Sequence, residues 1–352
     1  MNAMKILSPV SGLDEVDMLV DSGAGELYCG LVPEDWTSAY SGVVWMNRRS
    51  PAGASLPTYE ALAALVARAH AQGVPVFLTL NAPVYVQQQL PYLAGLAKRA
   101  IDECAVDAFI VSDTALLLTL AEMGHGSRVH VSSVASALNT EAVRFYQDLG
   151  VGRVILPRGL SIPEIGRISA AVAGAVPLEV FVLNDGCAFE EGLCHTLHHH
   201  RVGAFCVDMA GWDPEVERTD GRAIGPDESA RLQAHFQSHR EWIWHLNACG
   251  STVSSGGVPL GACGVCAIPA FSRFGIHSVK IAGRQASPLR KLLGLRLVRA
   301  VVARVEDGAS PEEVVEWAMR ARGARATCES GVMCYYRGPF TAGAAGPVIG
   351  GI

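Results

Sequence analysis

Charge is scarce in this chain. Only 18% of its residues are Asp, Glu, Lys or Arg, against roughly 25% in an ordinary soluble protein. Positive charge is not in excess either, because the formal net charge is -6. A broad nucleic-acid-binding face needs clustered Lys and Arg, so nucleic acid is not an expected partner, although a local basic patch stays open. Long hydrophobic runs are missing as well. None approaches the 18 or so apolar residues of a membrane helix, and MNAMKILSPVSGLDEVD at the N-terminus holds no apolar stretch of signal-peptide length. A cytoplasmic protein without a membrane partner is expected. Hydrolase motifs are absent too. There is no HExxH, no GxSxG and no Cys with a convincing His partner outside the cysteine-rich region.

What is present is apolar residues, cysteine and a strong alternation of short and long segments. Half of the residues are hydrophobic, enough for a large buried core. Apolar runs rich in Val, Ile and Leu predict eight strands, near 4–10, 25–31, 75–81, 107–112, 128–133, 153–157, 178–184 and 277–282. Helical patterns separate them. One spans 58–72 and is closed by Gly73, and another at 141–149 is opened by Asn139 and Thr140 and ended by Gly150. This alternation is the pattern of repeated βαβ units. It predicts a TIM-like β/α barrel over 1–305, with a doubly wound open sheet as the alternative. A cysteine-rich insertion, 185–266, lies between strands seven and eight and holds a helix of its own near 227–245. A C-terminal helix and a loose tail are expected over 306–352. Loops that follow barrel strands build the C-terminal face, where active sites lie, so this insertion and the connection 32–57 open on one mouth.

Ten cysteines in a reducing compartment do not make a disulfide framework. Metal binding or catalysis is the reading for those that cluster. Cys187 and Cys194 are separated by six residues, Cys206 follows after eleven more, and Cys263 and Cys266 form a CxxC. Thiolates so grouped suit zinc or an iron–sulfur cluster, and spacing alone does not choose between them. Cys29 on the second strand and Cys104 on an amphipathic helix read as small core residues. Cys249 either lines the pocket or packs there. Cys328 and Cys334 have no assignment beyond a lid or a second ligand pair. The run His195, His198, His199 and His200 reads as solvated loop, with a proton-transfer role for one of them as the alternative. Trp242 and Trp244 read as packing.

The stretch EVFVLNDGCAFEEGLCH, 179–195, resembles the signature of the collagenase-like peptidases of family U32. HHHRVGAFC matches the family's approach to its third cysteine, and CGVCAIPAFSRFGIHSVKIAGR matches the segment that carries its fourth. ELYCGL, the Arg48–Arg49 pair, AHAQGVPVFLTLN, VHVSSVASALN and RVILPRGLSIPEI also fall where the family has similar segments. The resemblance covers roughly residues 4–300. It implies a barrel carrying a 4Fe–4S cluster on Cys187, Cys194, Cys206 and Cys266, with Cys263 as the rival for the fourth position. Relatives of this length act in oxygen-independent ubiquinone hydroxylation, as pairs of homologues, while longer ones hydroxylate bases in RNA. Departures from the family are Gly159 for Glu in Arg-Glu-Leu, Ala282 for Glu in KIEGR, and Ala210-Gly211 for Cys-Arg.

Arg48, Arg49, Arg158 and Arg284 each fall at a predicted mouth position. Guanidinium forks suit the carboxylates of a substrate, and pairing with rim Asp or Glu is the alternative. The resemblance implies prephenate, a dicarboxylate, as oxygen donor. The expected function is therefore a 4Fe–4S enzyme for oxygen-independent hydroxylation, or a related redox step, on a small organic molecule. Two other readings are carried alongside: a U32-type peptidase or hydrolase, and a non-catalytic, cluster-bearing partner of a homologous subunit.

Overall fold

The computed structural model describes residues 3–40, 46–49, 52–187, 190–194, 198–199, 203–204, 215–248, 253–254, 257–331 and 334–336. Side chains of 198–199, 203–204, 239, 241–248, 327 and 330 are not described. Strands form where apolar residues run together. In chain order they are β1 Lys5–Pro9, β2 Glu26–Cys29, β3 Val76–Leu80, β4 Ala108–Val111, β5 Val129–Val131, β6 Arg153–Ile155, β7 Leu178–Leu183, β8 His198–His199, β9 Gly203–Ala204 and β10 Ser278–Ile281. Strands β8 and β9 form a separate two-residue ladder. The other eight are parallel, ordered β1-β10-β7-β6-β5-β4-β3-β2, and close on themselves. Closure lies at β1, where Lys5 pairs with Ser278 of β10 and Leu7 pairs with Glu26 of β2. That double pairing excludes the open-sheet alternative.

Twelve α-helices complete the described chain: α1 Val16–Asp21, α2 Glu34–Ala39, α3 Tyr59–His70, α4 Leu90–Asp102, α5 Thr114–Glu122, α6 Thr140–Asp148, α7 Ile162–Val172, α8 Pro226–Ala248, α9 Ile268–Arg273, α10 Pro288–Glu306, α11 Pro311–Arg322 and α12 Arg325–Ser330. Their starts are chemically marked, since an N-cap oxygen satisfies an otherwise orphaned backbone N–H. Thr58 accepts from Ala61 N, Asn139 from Ala142 N, and Ser161 and Ser310 form capping boxes with Glu164 and Glu313. Helix-facing strand residues such as Leu27, Leu78, Phe109, Val154 and Val180 bury against the helix ring, while Leu7, Tyr28, Phe77, Ile110, Ile155 and Phe181 fill the lumen. This split follows from the period of two along each strand.

The lower lumen is charged. Arg153 at the start of β6 reaches across the barrel to Glu26 of β2, at 2.6 and 2.8 Å, and to Glu179 of β7 at 2.7 Å. Lys280 lies 3.2 Å from Glu179, and Ser278 donates to Glu26 at 3.0 Å. All five side chains are buried. Two cations and two carboxylates thus neutralise one another inside the barrel, as burial of charge requires.

The C-terminal end differs from the expectation of one helix and a loose tail. The expected boundary falls at the end of α10, at Glu306, but α11 and α12 follow, and residues 334–336 return to the barrel mouth. Segment 341–352 lies outside the described residues, as do parts of the cysteine-rich excursion, 188–189, 195–197, 200–202, 205–214, 249–252 and 255–256.

Candidate active site at the barrel mouth

Arg284 follows β10 directly and is buried. Its guanidinium donates to Thr79 Oγ1 at 2.9 Å, to Asn47 Oδ1 at 2.9 Å and to the Ala54 carbonyl at 3.1 Å. Every one of these acceptors is neutral. No carboxylate of the described residues forms an ion pair with it. Burial pulls its pKa down to about 10, which leaves it charged at neutral pH. The backbone makes room for it. A Cβ at Gly30 would collide with Arg284 Nη1, and Gly283 has φ +107°, a conformation that a side chain would strain.

The other three arginines join it at the same face. Arg49 pairs with Asp185, just beyond β7, at 2.6 Å. Arg158, beyond β6, pairs with Glu191 of the excursion and stacks over the Phe181 ring at 3.7 Å. The Arg48 backbone N–H donates to Asn81 beyond β3. At the centre stands Tyr28, whose hydroxyl donates to the Ile281 carbonyl at 3.1 Å. Burial pushes its phenol up, and the charges of Arg284, Asp185, Arg49 and Arg158 all act on it. Arg49, Arg158 and Arg284 therefore surround Tyr28 together, but they are not equivalent. Arg49 and Arg158 carry their own carboxylates, and among the described residues Arg284 does not.

The cysteines divide. Cys29 and Cys104 are buried in the outer core, as the sequence suggests. Burial pushes the Cys29 thiol up to about 12, and Cys104 Sγ lies 3.4 Å from the Tyr59 carbonyl. Cys187 follows the Asn184–Asp185 turn, close enough for its charge to act on Arg158. The Cys263 backbone pairs as an isolated β-bridge with Leu183 at the end of β7 and, on its other side, with the backbone of Cys334, and both thiols are free. Burial, then Cys263, Cys334 and Cys328, hold the Cys266 thiol well above the usual range. Cys206, Cys249, His195 and His200 lie outside the described residues, and only the backbone of His198 and His199 lies within them. Trp242 and Trp244 fall on α8, with side chains not described. Among the described residues no three His, Cys, Asp or Glu side chains converge tightly enough for a single metal ion. The thiols that act on Cys266 are those of Cys263, Cys334 and Cys328, while Cys187 lies two residues beyond Asp185 at the exit of β7.

Residues 11–338 match the profile of Peptidase family U32. The chain belongs to that family. It is 28% identical over 309 residues to tRNA hydroxylation protein P of Escherichia coli (strain K12), covering 80% of this chain and 64% of that protein. It is 25% identical to the collagenase of Porphyromonas gingivalis, over 58% of this chain and 47% of that protein. A solved U32 peptidase superposes with a TM-score of 0.41 at 16% identity, covering 51% of this chain and 68% of the other. The chain spans 42% to 64% of the length of the curated relatives it matches first. Their names run against the expectation that leaves nucleic acid out. Among the described residues no helix is long and apolar enough to cross a membrane.

Several charged and aromatic residues of this mouth escape a sequence reading. The acid missing at Gly159 has a spatial substitute, because Glu191 takes Arg158 and a Cβ at Gly159 would sit 3.5 Å from Glu190 Oε2. Asp185, Glu190 and Glu191 all lie within the cysteine signature, so their charge was visible while their partners were not. Tyr335 and Tyr336 fall within 306–352, where the sequence points to a helix and a loose tail and to no site residue. Their signal was the paired aromatic residues beside Cys334.

Proposed function

We propose that this U32 chain is an iron–sulfur enzyme of oxygen-independent hydroxylation, with Cys187, Cys194, Cys206 and Cys266 as cluster ligands and Arg48, Arg49, Arg158 and Arg284 around a carboxylate-bearing substrate. The observation that carries the reading is Arg284, a buried cation that has only neutral hydrogen-bond acceptors among the described residues, in the mouth where the Cys187 loop leaves β7. When bound, a cluster supplies one-electron transfer, with a potential tuned by hydrogen bonding and solvent access. The residues of the chain do the rest. Arg284 offers charge to an anion, Asn47 and Thr79 hold its fork in plane, and Arg158 and Arg49 stay neutralised until a substrate carboxylate competes with Glu191 or Asp185. A small diacid of the prephenate type suits this as oxygen donor, since each charged hydrogen bond contributes roughly 1.5–3 kcal/mol.

A second reading concerns the acceptor of the oxygen. The name of the Escherichia coli relative favours a base in tRNA over a small ring. Hydrolysis, which the collagenase name suggests, and a purely scaffolding role beside a homologous subunit are the remaining alternatives.

The test begins with protein purified without oxygen. It should be brown and carry about four irons per chain, and Cys187→Ala, Cys194→Ala, Cys206→Ala or Cys266→Ala should each abolish the colour. Colourless protein with one zinc would overturn the cluster. Mass spectrometry of transfer-RNA nucleosides and of quinones, from cells with and without the gene, then separates the two acceptors.

A further inference from the structure

The turn that leaves β7 is unusual. Asn184 and Asp185 both adopt left-handed backbone, with φ +66° and +49°. Asn and Asp enter this region more readily than other side-chain-bearing residues, but usually singly, and two in succession call for surroundings that hold the turn. Two kinds of support surround the turn. On one side the Asn184 N–H donates to the Ala262 carbonyl at 2.7 Å, and Gly264 N donates to Val182 at 2.8 Å. On the other side stands the segment Cys334–Tyr336, from far beyond the barrel. The Cys334 backbone forms an isolated parallel β-bridge with Cys263, and Tyr335 N donates to the Cys263 carbonyl at 3.0 Å. The Tyr335 hydroxyl donates to the carbonyl of Asn184 itself. Tyr336 donates to the Phe181 carbonyl at 2.6 Å and packs edge-on against Phe271. Arg322 of α11 fastens the approach from below, through the carbonyls of Leu260 and Gly261 and through Cys328 Sγ.

Three consequences meet at this turn. Asp185 is the partner of Arg49, Cys187 follows two residues later, and the Tyr335 ring packs against the lumen cluster that contains Phe181 and Ala282. Arg158 and Tyr335 also lie within each other's field.

We propose that Tyr335 is a positioning residue of the mouth: its hydroxyl, delivered by the C-terminal segment, holds the Asn184–Asp185 turn that aims Cys187 and the Arg49–Asp185 pair. Its relevance to catalysis rests on the function proposed above, but the positioning itself does not. In the U32 barrel this makes residues beyond α11 part of the site rather than an appendage.

Tyr335→Phe keeps the ring and removes only the hydroxyl, so the fold is retained. Amide exchange, followed by mass spectrometry, should accelerate about tenfold in peptides spanning 184–187, the loss of one supporting hydrogen bond. Peptides from β3 to β5 should exchange as in wild type. The thermal shift given by prephenate should shrink in the same variant, with the unliganded melting temperature nearly unchanged. Unaltered exchange at 184–187 would overturn the positioning role. Exchange that accelerates in a protein whose wild type shows no prephenate shift would support the positioning and remove the diacid reading instead.

Discussion

Two arginines buried in one barrel have opposite surroundings. Arg153, in the lower lumen, is gripped by Glu26 and Glu179. Arg284, at the mouth, is held by an amide, a hydroxyl and a carbonyl. The electrostatic consequence differs in sign. Burial works against the charge of Arg153, but its two carboxylates outweigh burial and raise its pKa, whereas Arg284 is pulled down to about 10. A charge already balanced by its neighbours has nothing to offer a ligand and serves the fold. A charge fixed in place with only neutral hydrogen-bond acceptors among the described residues is preorganised for an anion.

The largest test of this contrast is stability. Arg153→Met leaves Glu26 and Glu179 buried together without their shared cation, which should cost about 3–5 kcal/mol in denaturant unfolding. Arg284→Met also loses hydrogen bonds, but it sheds a desolvated charge and strands no ion. It should stay within about 2 kcal/mol of wild type. An equal loss in the two variants would erase the distinction between floor and mouth. The ligand test runs the other way. A prephenate-type diacid at millimolar concentration should raise the wild-type melting temperature, and Arg284→Met should lose most of that shift with its iron content intact. Arg158→Ala should lose less, because Glu191 already occupies its fork. Loss of iron in the Arg284 variant would make this residue structural and remove the local support for the hydroxylase reading.

The strands were legible because fully buried strands of a parallel barrel are continuous apolar runs, and each of the eight overlaps a predicted one. Caps such as Asn139 and Ser161 carry local chemistry and are equally visible. Arg48, Arg49, Arg158 and Arg284 could be placed at the mouth by topology alone. Their inequality could not. Whether an arginine is neutralised depends on residues from other strands, as with Arg49 and Asp185, or Arg158 and Glu191. The return of Tyr335 to β7 is similarly long-range. Nothing local in CYYRG records that Asn184 lies 151 residues earlier in the chain and accepts its hydrogen bond. The lumen charges were missed for a related reason. Glu26 and Arg153 open their strands, where a single charge reads as a strand end, and Lys280 interrupts the apolar run of β10; none of them shows its partner across the barrel.

The smallest expected effect comes from the neutral member of the floor. His130 of β5 is buried, with its ring edge-on to Phe77 at 4.5 Å and Nδ1 without a hydrogen bond to any described residue. Burial and then the charges of Arg153 and Lys280 hold its pKa well below the ordinary imidazole value of 6.5. In the unfolded chain that restraint is gone. Below about pH 6.5 the unfolded state therefore binds a proton that the folded state refuses, and stability falls as the pH is lowered towards the folded value. One such group contributes up to about 1.4 kcal/mol per pH unit. His277, half-buried and lowered by burial and Arg153, adds to the same slope, so removal of His130 should reduce the slope without abolishing it. His130→Phe keeps an aromatic ring against Phe77 and leaves no hydrogen-bond partner stranded at Nδ1. Urea unfolding between about pH 5 and pH 7 should show a flatter acid limb for this variant, with near wild-type stability at the upper end. At the mouth, where Arg284 stays charged throughout this range, the matching variant Arg284→Met should leave the acid limb as it is. If His130→Phe has the full wild-type slope, the floor takes up its proton elsewhere and the Glu26–Arg153–Glu179 network is not the closed system that its distances describe.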